Sequence, residues 1–195
     1  MSENTTTTES AEATATDPAT VSTPFGEATI TSTTDVDRDG TVDVVHTATA
    51  DGAEVNGYLD AEGNVVLIEA DSDADGTLDT AVYAGADGTT IVEEDLDNDG
   101  TLDEVTTVSA GGNIDRIDEI DHGQVVSSIR DIDGDGTFDV KVIDADADGT
   151  FETTVLDADD DGLPDTVVTD TDGDGIVDDV HYVDGGPDHT TDDVM

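Results

Sequence analysis

Seven stretches of this chain place carboxylates at positions 1, 3, 5 and 9 of a nine-residue run, with glycine at position 6. They are Asp35, Asp37, Asp39 and Asp43; Asp71, Asp73, Asp75 and Asp79; Asp95, Asp97, Asp99 and Asp103; and Asp131, Asp133, Asp135 and Asp139. Three more follow in close succession: Asp144, Asp146, Asp148 and Glu152; Asp157, Asp159, Asp161 and Asp165; and Asp170, Asp172, Asp174 and Asp178. Four like charges this close repel one another. The chemistry that reconciles them is a hard divalent cation, and Ca2+, which takes six to eight oxygens at flexible geometry, fits best. Carboxylates at 1, 3 and 5 of a tight loop converge on one point, and a carbonyl at 7 adds a further oxygen. The glycines, Gly40, Gly76, Gly100, Gly136, Gly149, Gly162 and Gly175, permit the sharp turn. With 40 Asp and 20 Gly, chance predicts such a pattern on the order of 0.03 times in the chain, so seven copies are not a compositional accident.

The first half of the pattern resembles an EF-hand loop. The second half differs, because position 12 carries His46, Val82, Thr106, Val142, Val155, Val168 and His181 rather than a bidentate Glu. With its last carboxylate at position 9, the pattern is similar to the calcium loops of integrin-type β-propeller hairpins and of thrombospondin type 3 repeats. Flanking β-type sequence favours the first resemblance, and the 13-residue spacing of the last four copies favours the second. The chain has no cysteine for the disulfides of thrombospondin repeats. As a whole it resembles uncharacterised bacterial acidic repeat proteins. These resemblances imply calcium as the cofactor and the 28 carboxylates above as its ligands.

The loops need elements to hold them. Between them the residues alternate and favour β structure, as in Thr41–Ala50, Asn64–Ala70 and Thr89–Glu94. Glycine-containing breaks such as Asp51-Gly52, Asp87-Gly88, Gly111-Gly112 and His122-Gly123 read as hairpin turns. No window sustains a helical apolar period. The expected fold is all-β, a repetitive antiparallel meander of about a dozen short strands joined by aspartate loops and tight turns. A β-solenoid or a propeller-like fragment is the alternative. Position 8 is mostly apolar (Val42, Leu78, Leu102, Phe138, Phe151, Pro164 and Val177), which predicts that each loop anchors in the core where the next strand begins.

A longer repeat contains the short one. Asp35 to Asp95 and Asp71 to Asp131 are each 60 residues apart, so residues 35–94 and 95–154 read as two copies of one unit, and tandem loops fill 131–182. Residues 27–183 then make up one repeat domain. Residues 1–26, rich in Thr and Ala, read as a disordered arm without a visible signal peptide, and 184–195 as a flexible tail.

Composition sets the outer bounds. With 52 acidic and 4 basic side chains the net charge is −48, which excludes nucleic acid and insertion into an anionic membrane as partners. Low hydrophobicity at such charge is the signature of disorder unless something besides burial holds the chain. The seven loops hold 28 of the 52 acidic residues. No nucleophile with a placed base and no phosphate-binding loop is present, so no enzymatic activity is expected. The expected function is a calcium-stabilised structural, adhesive or surface module, with calcium ions and another surface protein or a glycan as partners. Its expected location is extracellular or on the cell surface, where calcium is millimolar. The competing reading is an acidic soluble protein of a high-salt cytoplasm, in which aspartate serves hydration rather than metal.

Overall fold

The computed structural model describes residues 19–183. The strands are β1 (Thr20–Thr23), β2 (Gly26–Thr34), β3 (Val44–Thr49), β4 (Glu54–Leu59), β5 (Val65–Ala70), β6 (Thr80–Ala84) and β7 (Thr90–Glu94). They continue as β8 (Glu104–Val108), β9 (Ile114–Asp121), β10 (Gln124–Arg130), β11 (Val140–Ile143), β12 (Thr153–Leu156), β13 (Thr166–Thr169) and β14 (Asp179–Tyr182). All 14 form one sheet in chain order, and every neighbouring pair is antiparallel. The fold is therefore an open all-β meander, neither a solenoid nor a propeller fragment.

The expected arm needs a correction at its end. Residues 20–23 form β1, paired with β2 through Val21–Ala28 and Thr23–Gly26. The alternating Thr20, Val21, Ser22 and Thr23 suit a pleated edge strand, which a compositional reading of the arm passes over. Residues 1–18 of the arm and the 184–195 tail lie outside the described residues.

Each 60-residue unit contributes five strands: β3–β7 in the first, and β8–β11 with the start of β12 in the second. In a meander an odd number of strands reverses direction. Equivalent loops of the two units therefore emerge at opposite ends of the strands, here called rims. One rim carries the loops beginning at Asp71, Asp95, Asp144 and Asp170, and the other carries those at Asp35, Asp131 and Asp157. The units differ at one joint: the 3-10 turn Ala86–Gly88 connects β6 to β7, whereas the loop from Asp144 connects β11 to β12.

Burial is concentrated at the N-terminal end. The buried apolar residues Ala28, Val44, Ala53, Val55 and Ala70 all lie between β2 and the end of β5. There β1 and the following turn overhang the sheet, enclosing a cavity of about 190 Å³ lined by Val21, Pro24, Val45, Val55, Leu59 and Ile68. Across the rest of the sheet, cross-strand neighbours shield one another. One midline row runs through Val45, Gly57, Ile68, Val82, Val92, Thr106, Ile117, Ile129, Lys141, Val155 and Val167, strand to strand. The row on the opposite face holds all three tyrosines, Tyr58, Tyr83 and Tyr182, together with Arg116 and Arg130. Neither row contains a carboxylate, but the rows beside them do: Glu94, Glu104 and Glu119 on the first face, and Glu69, Glu93 and Asp118 on the second.

Candidate metal centres

All seven aspartate loops are hairpin connections, following β2, β5, β7, β10, β11, β12 and β13. In six of them the N–H of position 9 donates to the carbonyl of the last strand residue before the loop, as from Asp43 to Thr34 and from Asp139 to Arg130, both at 2.9 Å. That bond is the last rung of the hairpin. It closes the loop on a fixed base, and the carboxylates satisfy its inner N–H groups. The glycine N–H at position 6 donates to the position-1 carboxylate in every loop, at 2.7–3.0 Å. The N–H of position 7 donates to the position-5 carboxylate at 2.7–2.9 Å, again in every loop. The N–H of position 2 reaches across to the position-9 carboxylate at 2.5–3.1 Å. Three of the four carboxylates therefore have the same backbone partner throughout and are held in place by it.

The loop from Asp144 brings together one oxygen each of Asp144, Asp146, Asp148 and Glu152, all within 4.8 Å of one another. The same spacing unites positions 1, 3 and 5 in Asp35, Asp37 and Asp39 and in Asp95, Asp97 and Asp99. It unites positions 1, 3 and 9 in Asp71, Asp73 and Asp79 and in Asp131, Asp133 and Asp139. Asp71, Asp131 and Asp144 are buried, as is Asp165. The three ion pairs of the described residues, Arg116–Asp118, His122–Asp121 and Lys141–Glu119, include none of the 28 candidate ligands. In the loops from Asp157 and Asp170, the position-1 Oδ2 accepts the glycine N–H, while Oδ1 is closed off from solvent without a hydrogen-bond partner. A carboxylate oxygen withdrawn from water with neither a hydrogen-bond partner nor a counter-charge is costly. A hard cation is the chemistry that relieves it, and these oxygen donors suit one.

Hydrogen bonds tune the titration of several carboxylates. The hydroxyl and N–H of Thr41 hold Asp39 below its ordinary value, and Thr101 does the same for Asp99. Burial pushes Asp79 up, but bonds from Thr80 and Ser72 outweigh it and leave the group lowered. Asp160 is raised by desolvation and then by the charges of Asp135, Asp139 and Asp133 in the neighbouring loop.

Two features of the loops depart from the sequence reading. Position 4, which the offsets 1, 3, 5, 6 and 9 leave unspecified, has positive φ in every loop: Arg38 66°, Ala74 61°, Asn98 58°, Gly134 82°, Ala147 58°, Asp160 58° and Gly173 66°. Gly134, Gly173, Asn98 and Asp160 carried the only signal, since those types tolerate left-handed backbone best. Position 8 does not anchor in a core in most loops, although Leu102 and Phe138 are half-buried. Val42, Leu78, Phe151 and Val177 are 39–51% exposed, because a one-layer sheet offers no second layer for them to enter. Position 4 also meets the next loop along a rim: Asn98 Nδ2 donates to Asp75 Oδ2 at 3.1 Å.

Compared with known proteins, the chain matches no family model, no curated protein and no solved structure.

Proposed function

We propose that this protein binds calcium through its seven aspartate loops and uses the ions to hold a one-layer β-meander together as a structural, adhesive or surface module. The observation that carries the reading is the burial of Asp71, Asp131 and Asp144 beside further carboxylates, with no side-chain cation to balance them. Hydration in high salt does not call for burial, since solvating carboxylates belong in water. The position-1 aspartate would be the inner ligand of each site, positions 3 and 5 the loop ligands, and position 9 the ligand that ties the site to the returning strand. Seven dications would leave a net charge of about −34, since each adds two charges, so strands far from a core still repel one another. Sites built from short, exposed loops suit the millimolar calcium found outside cells, where the partner would be another surface protein or a glycan.

Calorimetric titration of calcium into the chelator-treated protein tests this. The expected result is saturable binding of several ions that magnesium does not reproduce at the same concentration, because magnesium demands octahedral geometry and gives up its water reluctantly. Heats no larger than those of dilution would leave the acid to hydration alone.

A further inference from the structure

Gly57 stands inside β4, where a glycine weakens the strand and has no side chain to pack. Nothing in its backbone asks for glycine. Its φ lies outside the left-handed region, and a Cβ built there would meet no atom within 4 Å. The missing side chain instead gives the cavity under β1 its floor. We propose that this cavity is a binding site for a small neutral apolar molecule, an aromatic ring or aliphatic group of about six to eight carbons.

The strands around Gly57 build the walls. Val45 and Ile68 pair with it from the two neighbouring strands, and Val55 and Leu59 stand on the same face of β4 before and after it. Val21 and Pro24 overhang from β1 and the turn that follows, and the space between is about 190 Å³. Val55 is 2% exposed, whereas Val65, which also lines the cavity, is 57% exposed and marks the side open to solvent.

The lining selects the chemistry of the occupant. No charged residue contributes to it, in a chain where 52 of 195 residues are acidic. Its two threonine hydroxyls are already used: Thr47 Oγ1 donates to the Val55 carbonyl at 2.7 Å and Thr23 Oγ1 to the Gly26 carbonyl at 2.8 Å. Ser22 is exposed, on the other side of β1 from Val21 and Thr23. Asp43, two residues before Val45, is turned into its own loop and accepts the Val36 N–H at 2.6 Å. Along the strands, the first carboxylate on this face is Glu94, two strands beyond Ile68. A cavity with no free polar group holds water poorly, and apolar cavities of about 150 Å³ stay dry and admit benzene. The net charge of −48 repels an apolar anion, and the aspartate rims draw a cation away, so a neutral molecule fits best. The overhang of β1 and the volume limit the occupant to one ring or one short chain. The proposal does not depend on the metal reading, since every lining residue belongs to β1, β3, β4, β5 or the turn after β1.

Titration of toluene into the isotope-labelled full chain in millimolar calcium, followed by amide NMR, tests it. The expected result is saturable shifts centred on the amides of Val45, Val55, Gly57 and Ile68, with none there from benzoate at the same concentration. Gly57→Ala should weaken toluene binding by about tenfold, because the added methyl group crowds the occupant. Gly57→Val should abolish binding. Both side chains enter empty space, so the fold is kept, and Gly57→Ala carries the test if Gly57→Val misfolds. No saturable shift up to the solubility of toluene would overturn the proposal. So would shifts centred away from β4, equal binding of benzoate, or toluene binding that Gly57→Ala leaves unchanged.

Discussion

The N-terminal part of the sheet, through β10, and the tandem block of residues 131–183 are built from the same loop but are held by different forces. All five buried apolar side chains among the described residues lie in the first. Its strands reach nine residues in β2 and eight in β9, and most of its turns are tight hairpins that need no ion. In the tandem block, β11, β12, β13 and β14 have four residues each, and every connection is an aspartate loop. β14 is exposed along its whole length. A four-residue strand between two such loops gains little from burial and feels carboxylate repulsion from both rims. On the proposed calcium reading, the same loop would decorate the first region and sustain the second.

Removing calcium should have the largest effect, confined to one side of this comparison. At 100 times Kd, each filled site stabilises the state that binds it by about 2.7 kcal/mol. Chelator should therefore lower the strand signal in circular dichroism by the share that β11–β14 contribute, and millimolar calcium should restore it. Equal loss from both regions would erase the distinction.

Single-site changes come next. Asp131→Ala or Asp135→Ala should remove one ion from the calorimetric stoichiometry, whereas Ile132→Ala, whose side chain is 68% exposed at position 2, should not. Three identical stoichiometries would count against the ligand assignment. In the other region, Val55→Ala should cost about 2 kcal/mol of stability from the cavity it leaves, in calcium and in chelator alike. Thermal melts in both buffers check this, and a calcium-dependent penalty would mean that the N-terminal core also leans on metal.

The Tyr58 hydroxyl donates to Glu69 at 2.5 Å, and that bond, with burial and nearby carboxylates, pushes its pKa up to about 12. With the folded value raised, the bond contributes stability in full below pH 10 and loses it as pH rises toward 12. Tyr83, whose hydroxyl donates to Glu93, is raised as well, so absorbance titration of phenolate should show both tyrosines ionising late, and Tyr58→Phe should remove the later step. The smallest effect expected is at position 4. Ala74→Gly and Ala147→Gly relieve left-handed backbone at 61° and 58°, and should raise the melting temperature by the equivalent of about 0.5–1 kcal/mol. A lower melting temperature would show that the loops do not hold this backbone in solution.

Much of this was legible in the sequence because the signals were local. Alternating Val, Ile and Thr between glycine turns specified strands and a meander, and the offsets 1, 3, 5 and 9 picked out carboxylates that the hairpins bring together. What depended on neighbours in space was not legible. Arg38 and Ala74 give no hint of positive φ, because hydrogen bonds from other loop residues impose it. Phe151 and Leu78 read as core anchors, yet a one-layer sheet leaves them in water. Thr20–Thr23 joined the sheet because β2 offered an edge, which composition does not report. The sorting of loops onto two rims needed the strand count of the 60-residue unit, and that depends on where each turn closes.

Hydrogen exchange of backbone amides, read by mass spectrometry in calcium and in chelator, tests the central claim most directly. Amides of β11–β14 should be protected in calcium and exchange at near-unfolded rates in chelator, while those of β3–β5 stay protected in both. Protection of the tandem block that persists without calcium, or loss that begins in β3–β5, would contradict the account.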